Sequence, residues 1–502
     1  MKLAAISAIV LPALVSAHGL RDAHHARQAT PPSSSVPAAS PATSVGTPAA
    51  ASGAPAQSSA VAAPGTTPAG PATAASLTFT LAATNPSAVP LSGIASGVSS
   101  EPTVPASTTY ASGTTPTFLP NAPPLPNPVT LVPASYPTLD KTPPIDSPEV
   151  KQWIQDVQNS GVEIPNITPT NPGGCPNNTD AAADQSRCWW TCGGCKADDD
   201  IEECPDKMTW GLTYDDGPAL HTGKLLSYLD SVNLKATFFV VGSRAISYPA
   251  LLQQEYMAQH QIAVHTWSHP PMTTLTNEQV IAELGWSKKV IKDVLGVTPT
   301  YWRPPYGDVD NRVRAIAKAM GLQTSIWTRI SPTATFDTGD FDIAGGLTSS
   351  TQVLDNWESI IGNATTIDHG FIVLEHDLFQ QSVDIATGYI LPDALAHQPP
   401  FNIMPIVQCL KKPMQDAYIE TNDNTTNPIG MSTTGSGTES ASGTHPGSSS
   451  TGSAAATGSS AEASGNSSGA SAHGNGAMGL ASPSSLGGAA LGVVAGALAL
   501  FV

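Results

Sequence analysis

The chain has 502 residues, and its 46 Pro, 43 Gly, 6% aromatic and 12% charged residues exclude a uniformly folded polymer, because an average soluble domain carries about 25% charged residues. Its 21 Lys and Arg against 39 Asp and Glu give a formal charge of −18, with no basic cluster to neutralise a phosphate backbone, so nucleic acid is excluded as a partner. Nearly all the Trp, Phe and Tyr lie between Trp153 and Tyr418, so one large folded domain between long low-complexity flanks is expected.

Residues 1–17 read as a secretory signal peptide. Lys2 precedes a short apolar run through Ile9, Val10, Leu11 and Leu14, and Val15-Ser16-Ala17 supplies the small residues of a cleavage site. That run is too short to span about 30 Å of hydrocarbon. Residues 18–135 are dominated by Ala, Pro, Ser and Thr. This composition cannot bury enough apolar area to offset the entropy of ordering, so it reads as an O-glycosylated stalk.

Residues 136–204 form a Cys-rich extension to a folded domain at 205–425. Cys175, Cys188, Cys192, Cys195, Cys204 and Cys409 are an even set. Cys192-Gly-Gly-Cys195 has zinc-ribbon spacing, but no second pair follows it, and a secreted chain favours disulfides. Three bridges are expected, and the isolated Cys409 is expected to tie the end of the domain to its beginning.

From Met208 onward, β-rich runs alternate with helical ones. Strands are predicted at 209–213, 236–241, 261–265, 300–302, 322–327 and 371–375, and helices at 221–230, 311–320 and 353–361. Another helix starts from the capping box Thr276/Gln279 and carries Val280, Ile281, Leu284, Ile291 and Val294 at helical spacing. Repeated strand-helix units imply a parallel sheet with covered faces, either a (β/α) barrel or a doubly wound sheet. In both, polar residues at the C-terminal ends of the strands are the site candidates.

Beyond the domain, residues 426–474 are a Ser/Gly/Thr-rich linker. Residues 475–502 read as a glycosylphosphatidylinositol signal: the small triplet Asn475-Gly476-Ala477, a polar spacer and an apolar tail from residue 486. Asn475 is the candidate lipidation site, with Ser467-Ser468-Gly469 as the other. A tail interrupted by Gly and lacking basic flanks is a poor membrane stop. Sequons at Asn166, Asn177, Asn363, Asn424 and Asn466 fit a secreted glycoprotein.

Four strand ends carry chemistry. The first leads into Thr213-Tyr-Asp-Asp-Gly-Pro218. Two adjacent carboxylates diverge, so one suits a metal and the other proton transfer, although such a turn with solvated acids is common in loops. The third ends in His265-Thr-Trp-Ser-His269, two imidazoles four apart that can approach one ion. Two histidines and a carboxylate make a three-ligand site with open positions for water, the layout of a catalytic metal. The next strand runs into Arg303-Pro-Pro-Tyr-Gly307, whose prolines fix the backbone and can aim an amide N–H at a substrate oxygen. Last, Leu374-Glu-His376-Asp377 places a histidine where it can act as a general acid.

In order and wording these motifs resemble the polysaccharide deacetylases of carbohydrate esterase family 4, over roughly residues 205 to 410. With the signal, stalk and anchor, the chain looks most like a fungal wall enzyme of the chitin deacetylase group. The resemblance implies a deformed (β/α) barrel with an open groove. It makes Asp216, His265 and His269 the ligands of a divalent metal, zinc first and cobalt second, and Asp215 the general base. Arg303 would orient Asp215, the Tyr306 N–H would bind the oxyanion, and His376 would be the general acid. Asp337 in Asp337-Thr-Gly-Asp-Phe341 would tune His376. Phe341 stands where the family usually has Trp and would form a groove wall, and Leu374 would line the acetyl methyl pocket.

The implied reaction is hydrolysis of N-acetyl groups of chitin to chitosan and acetate by a secreted, lipid-anchored monomer. Acetylated xylan or peptidoglycan would be the competing substrates. A different class is a non-catalytic wall protein that holds glycan in the groove by stacking sugars on Trp189, Trp190 or other aromatics; the simpler role of Trp189 and Trp190 is packing against the cystines.

Overall fold

The computed structural model describes residues 77–97 and 103–422. Ten strands occur among them: β1 (Thr209–Gly211), β2 (Thr213–Asp215), β3 (Thr237–Val240), β4 (Gln261–Val264), β5 (Tyr301–Trp302), β6 (Gln323–Thr324), β7 (Arg329–Ser331), β8 (Ala334–Thr335), β9 (Phe371–Ile372) and β10 (Asn402–Met404). Strands β2 to β6 form a parallel sheet in chain order, while β1 lies between β10 and β9, again parallel. The short antiparallel hairpin β7–β8 interrupts the repeat.

β1 and β2 are one extended stretch that changes partner at Leu212. The Leu212 N–H donates to Met404 O (3.0 Å), and its carbonyl accepts from the Thr237 N–H (2.9 Å). On the other side, the stretch stays beside the continuation of β9. The Asp215 N–H donates to Glu375 O (2.9 Å) and the Asp377 N–H to Asp215 O (3.1 Å). Past β6, the Thr328 N–H donates to Ile372 O (3.1 Å). These bonds close the ring, so the fold is an irregular α/β barrel and not an open doubly wound sheet.

The strands are short, and those of the five-stranded sheet are buried along almost their whole length, as expected where helices cover a parallel sheet. The longest cover is the helix Asn277–Leu295. It opens on the Thr276/Gln279 capping box and ends at left-handed Gly296, with Val280, Ile281, Leu284, Val290, Ile291 and Val294 buried. Helices Thr222–Ser231, Asn311–Ala319 and Ser350–Ala364 also lie within a turn of their predicted positions. Among the described residues no helix is long and apolar enough to cross a membrane.

All six cysteines are paired, as Cys175–Cys192, Cys188–Cys195 and Cys204–Cys409. The last bridge joins residues 205 positions apart, the expected tie between the two ends of the barrel.

The stalk expectation for 18–135 is corrected by residues 77–97 and 103–135, which pack on the barrel. Ile94, Leu119, Ala122 and Leu125 are buried, and the Phe118 ring meets Tyr256 at 5.6 Å. Backbone bonds run from Asn85 N to Gly388 O (2.9 Å) and from Val104 N to Leu220 O (3.1 Å). A Cβ at Gly223 would lie 2.6 Å from Val104 O, so that helix is shaped to receive the strap. Low apolar content rules out an independent core, but a few apolar side chains suffice when the surface that receives them is already folded. Leu119→Ala should therefore cost about 2–4 kcal/mol in chemical denaturation, whereas a free stalk would show no change.

Candidate active site

β2 ends at Asp215, and the chain then turns through Asp216 at φ 80°. A Cβ at Gly217 would meet the Asp377 carboxylate at 2.2 Å, so only glycine allows the turn to close against β9. β4 leads directly to His265, and the following turn carries Thr266 (φ 64°) and His269 (φ 61°). Left-handed backbone at non-glycine residues costs energy, most of all at β-branched threonine, and such strain gathers at functional sites. Tyr306, in the turn after β5, is a further case at φ 60°.

These turns bring Asp216, His265 and His269 together, with one donor atom from each lying within 4.8 Å of the others. Asp216 Oδ1 is 3.3 Å from His265 Nε2 and 3.1 Å from His269 Nε2. His265 Nδ1 lies 2.8 Å from the Arg303 carbonyl. A carbonyl only accepts, so the ring proton belongs on Nδ1 and the Nε2 lone pair faces the carboxylate. Asp216 Oδ1 is buried without a hydrogen-bond donor. Two lone-pair donors and a buried carboxylate oxygen converging on one point fit a divalent cation of the borderline kind.

Asp215 faces the same point from the other side. Its Oδ1 accepts from Arg303 Nη1 (2.8 Å), which also donates to Thr213 Oγ1 (2.9 Å). Its Oδ2 is 3.8 Å from His265 Nε2. The Arg303 side chain has no exposed surface and lies 4.2 Å from the Phe239 ring centre. Tyr306 Oη is 3.1 Å from His269 Nδ1, so this side chain touches the second histidine.

His376 is on the stave paired with Asp215. Its Nδ1 is 2.8 Å from Asp340 Oδ1, and its backbone N–H donates to Asp340 Oδ2 (2.9 Å). This corrects the assignment of Asp337 as the tuning carboxylate. Asp337 Oδ1 accepts from the Gly339 N–H, and the group on the imidazole is Asp340, three residues on. The sequence signal was Asp340 standing immediately before the aromatic Phe341. Burial lowers the His376 pKa, but Asp340 outweighs it, with Asp216 and Asp215 adding, and the ring is pushed up to about 10. The Phe341 ring lies 5.2 Å from His376 and 5.0 Å from Phe379. Leu374, two residues before His376, is buried.

Other expected residues lie elsewhere. Trp189 and Trp190 are each 4% exposed. Trp189 Nε1 donates to Asp308 Oδ1 (2.7 Å), and the Trp190 ring packs 4.6 Å from Trp327. Neither offers a face for sugar. Asn166 and Asn177 are exposed and Asn363 is partly exposed. Asn424, Asn466, Asn475, the signal peptide, the linker and the lipid-anchor signal lie outside the described residues. Sequence reading also missed Glu283, a buried carboxylate from the long helix that bonds the turn between the two histidines. Burial pushes this carboxyl up to about 7 against the pull of Ser268 and Trp267.

A parallel barrel that gathers acids and imidazoles at the C-terminal rim of its strands has the plan of an enzyme that works by acid–base chemistry. Residues 202–325 match the family model described as polysaccharide deacetylase. Chitin deacetylase 1 of Cryptococcus neoformans var. grubii is 51% identical over 368 residues, covering 72% of this chain and 77% of that protein. Chitin deacetylase 2 of the same organism is 38% identical over 294 residues, covering 54% and 63%. The solved chitin deacetylase of Colletotrichum lindemuthianum is 22% identical, covers 44% of this chain and 96% of that one, and gives a TM-score of 0.39. This chain belongs to the polysaccharide deacetylase family, carbohydrate esterase family 4.

The His376–Asp340 pair has a definite pH signature. The folded value near 10 lies above the ordinary 6.5, so the pair's contribution to stability is complete below about pH 6.5 and fades as pH rises toward 10. In Asp340→Asn, the imidazole resonances of His376 should titrate at lower pH, and the alkaline loss of stability should shrink. An unchanged NMR titration would refute the pairing.

Proposed function

We propose that this protein hydrolyses the N-acetyl groups of N-acetylglucosamine units in chitin, releasing acetate and leaving glucosamine. The observation that carries the chemistry is the placement of Asp215 and His376 on paired staves beside the Asp216, His265 and His269 corner. The choice of chitin rests on the relatives, both named chitin deacetylases.

Asp216, His265 and His269 would hold a divalent cation, zinc by its nitrogen and oxygen donors, with cobalt as the substitute. When bound, that ion supplies Lewis acidity for the acetamide carbonyl and lowers the pKa of water. Asp215, held by Arg303, takes a proton from the attacking water. The Tyr306 N–H donates to the oxygen that gains charge. His376, protonated because Asp340 stabilises its imidazolium, gives a proton to the departing nitrogen, which is a poor leaving group without it. Leu374 lines the space for the acetyl methyl group, and Phe341 forms the wall beside His376.

Three disulfides fit an oxidising, extracellular setting. The protein would be a secreted monomer, glycosylated at exposed sequons and attached near Asn475 to a lipid at the outer face of the membrane or in the wall. Trp189 and Trp190 are buried, so a binding-only reading would need other aromatics to stack on sugars.

Incubation with chitin oligomers should release acetate, a chelator should abolish the release, and added zinc should restore it. Asp215→Asn should lose about 100-fold to 10,000-fold in kcat/KM. Acetate from acetylated xylan but from no N-acetylglucosamine oligomer would reject the substrate.

A further inference from the structure

The turn 265–269 must hold two imidazoles at one point while its backbone passes through two left-handed residues, Thr266 and His269. Left alone, such a turn would relax. From below it is bonded to the helix Gly242–Ser247, which follows β3: the Gly242 N–H donates to Thr266 O (2.8 Å) and the Ser243 N–H to Trp267 O (3.0 Å). Those bonds use the carbonyls of the turn and leave its central N–H groups to be met from another side.

Glu283 meets them. Its Oε2 accepts from the Trp267 N–H (2.8 Å) and the Ser268 N–H (2.9 Å), and its Oε1 accepts from Ser268 Oγ (2.6 Å). The side chain has no exposed surface. It projects from the second turn of Asn277–Leu295, whose start is fixed by the capping box and whose apolar face is buried in the core. A carboxylate that accepts two adjacent backbone N–H groups and a hydroxyl fixes both the position and the rotation of the peptide planes between the histidines.

We propose that Glu283 is the positioning residue of the metal-binding turn, setting the spacing of His265 and His269 so that Nε2 of both face Asp216. It touches neither histidine ring, so it acts through the backbone. The inference rests on the proposed cation site at Asp216, His265 and His269. A group that orients ligands from behind typically governs about 10–100-fold of metal affinity.

The test uses the full chain, stripped with a chelator and titrated at pH 8 with zinc or cobalt against a chromophoric competitor. Glu283→Ala should weaken metal binding about 10–100-fold and broaden the visible spectrum of the cobalt form. Glu283→Gln keeps one acceptor but turns an NH2 group toward one side of the turn, so it should fall between the two. Ser268→Ala removes one of the three bonds from Glu283 to the turn and should have the smallest effect. Should Glu283→Ala fail to fold, Glu283→Gln decides. Metal affinity and cobalt spectrum unchanged in Glu283→Gln, with only the thermal midpoint of the stripped protein lowered, would make Glu283 a structural residue and overturn the proposal alone. No cation binding by the unaltered protein would overturn the metal-site reading as well.

Discussion

A guanidinium without exposed surface is tolerated only where its charge is answered, and Arg303 is answered by Asp215. This pair ties the barrel together at the rim. Arg303 leaves β5, reaches Asp215 and Thr213 on β2, places Nη2 3.3 Å from Ile326 O beyond β6, and lies over Phe239 of β3. Four staves thus converge on one planar group. Its carbonyl meanwhile receives the Nδ1 proton of His265. The same residue therefore fixes an acid through its side chain and the tautomer of a histidine through its backbone.

The two halves of the site are built by different means. Asp216, His265 and His269 sit on or beside strained turns, and the turn between the histidines is held from outside by Gly242, Ser243 and Glu283. Asp215 and His376 sit on paired strands, where ladder bonds such as Asp215 N to Glu375 O set their separation. Strained turns allow convergence on one point, which strands spaced about 4.8 Å apart cannot provide. Strands give the acid and the base a fixed relation across the cleft. The partner change at Leu212 makes this arrangement possible, because it brings β3 and the end of β9 to either side of Asp215.

The sequence made the motifs legible because each lies where a hydrophobic run stops and polar residues begin, and that boundary is local. Strands β2 to β5 and the capped helix at Asn277 were visible for the same reason, while the isolation of Cys409 showed a tie back to the start of the domain but not that its partner is Cys204. Asp337 and Asp340 could not be told apart, since both are acids in one loop and only the tertiary path decides which faces His376. Glu283 was hidden because a glutamate in an amphipathic helix ordinarily faces solvent, and nothing local shows that its rotamer points inward. The strap at 77–97 and 103–135 was misread because composition reports what a segment can bury by itself, not what it can bury against a finished surface. The strand β10 was missed for a similar reason: three residues of it pair only with β1.

The disulfide between Cys204 and Cys409 has a mechanical consequence for a protein exposed to hostile surroundings. Every strand of the barrel, both histidines of the metal corner and every catalytic candidate lie between those two cysteines. A protease that cuts any surface loop in that interval opens the chain but cannot separate it, because the fragments remain joined through the bridge. The loops around the cleft can therefore be long and exposed enough to admit a polymer without one cut releasing half of the site.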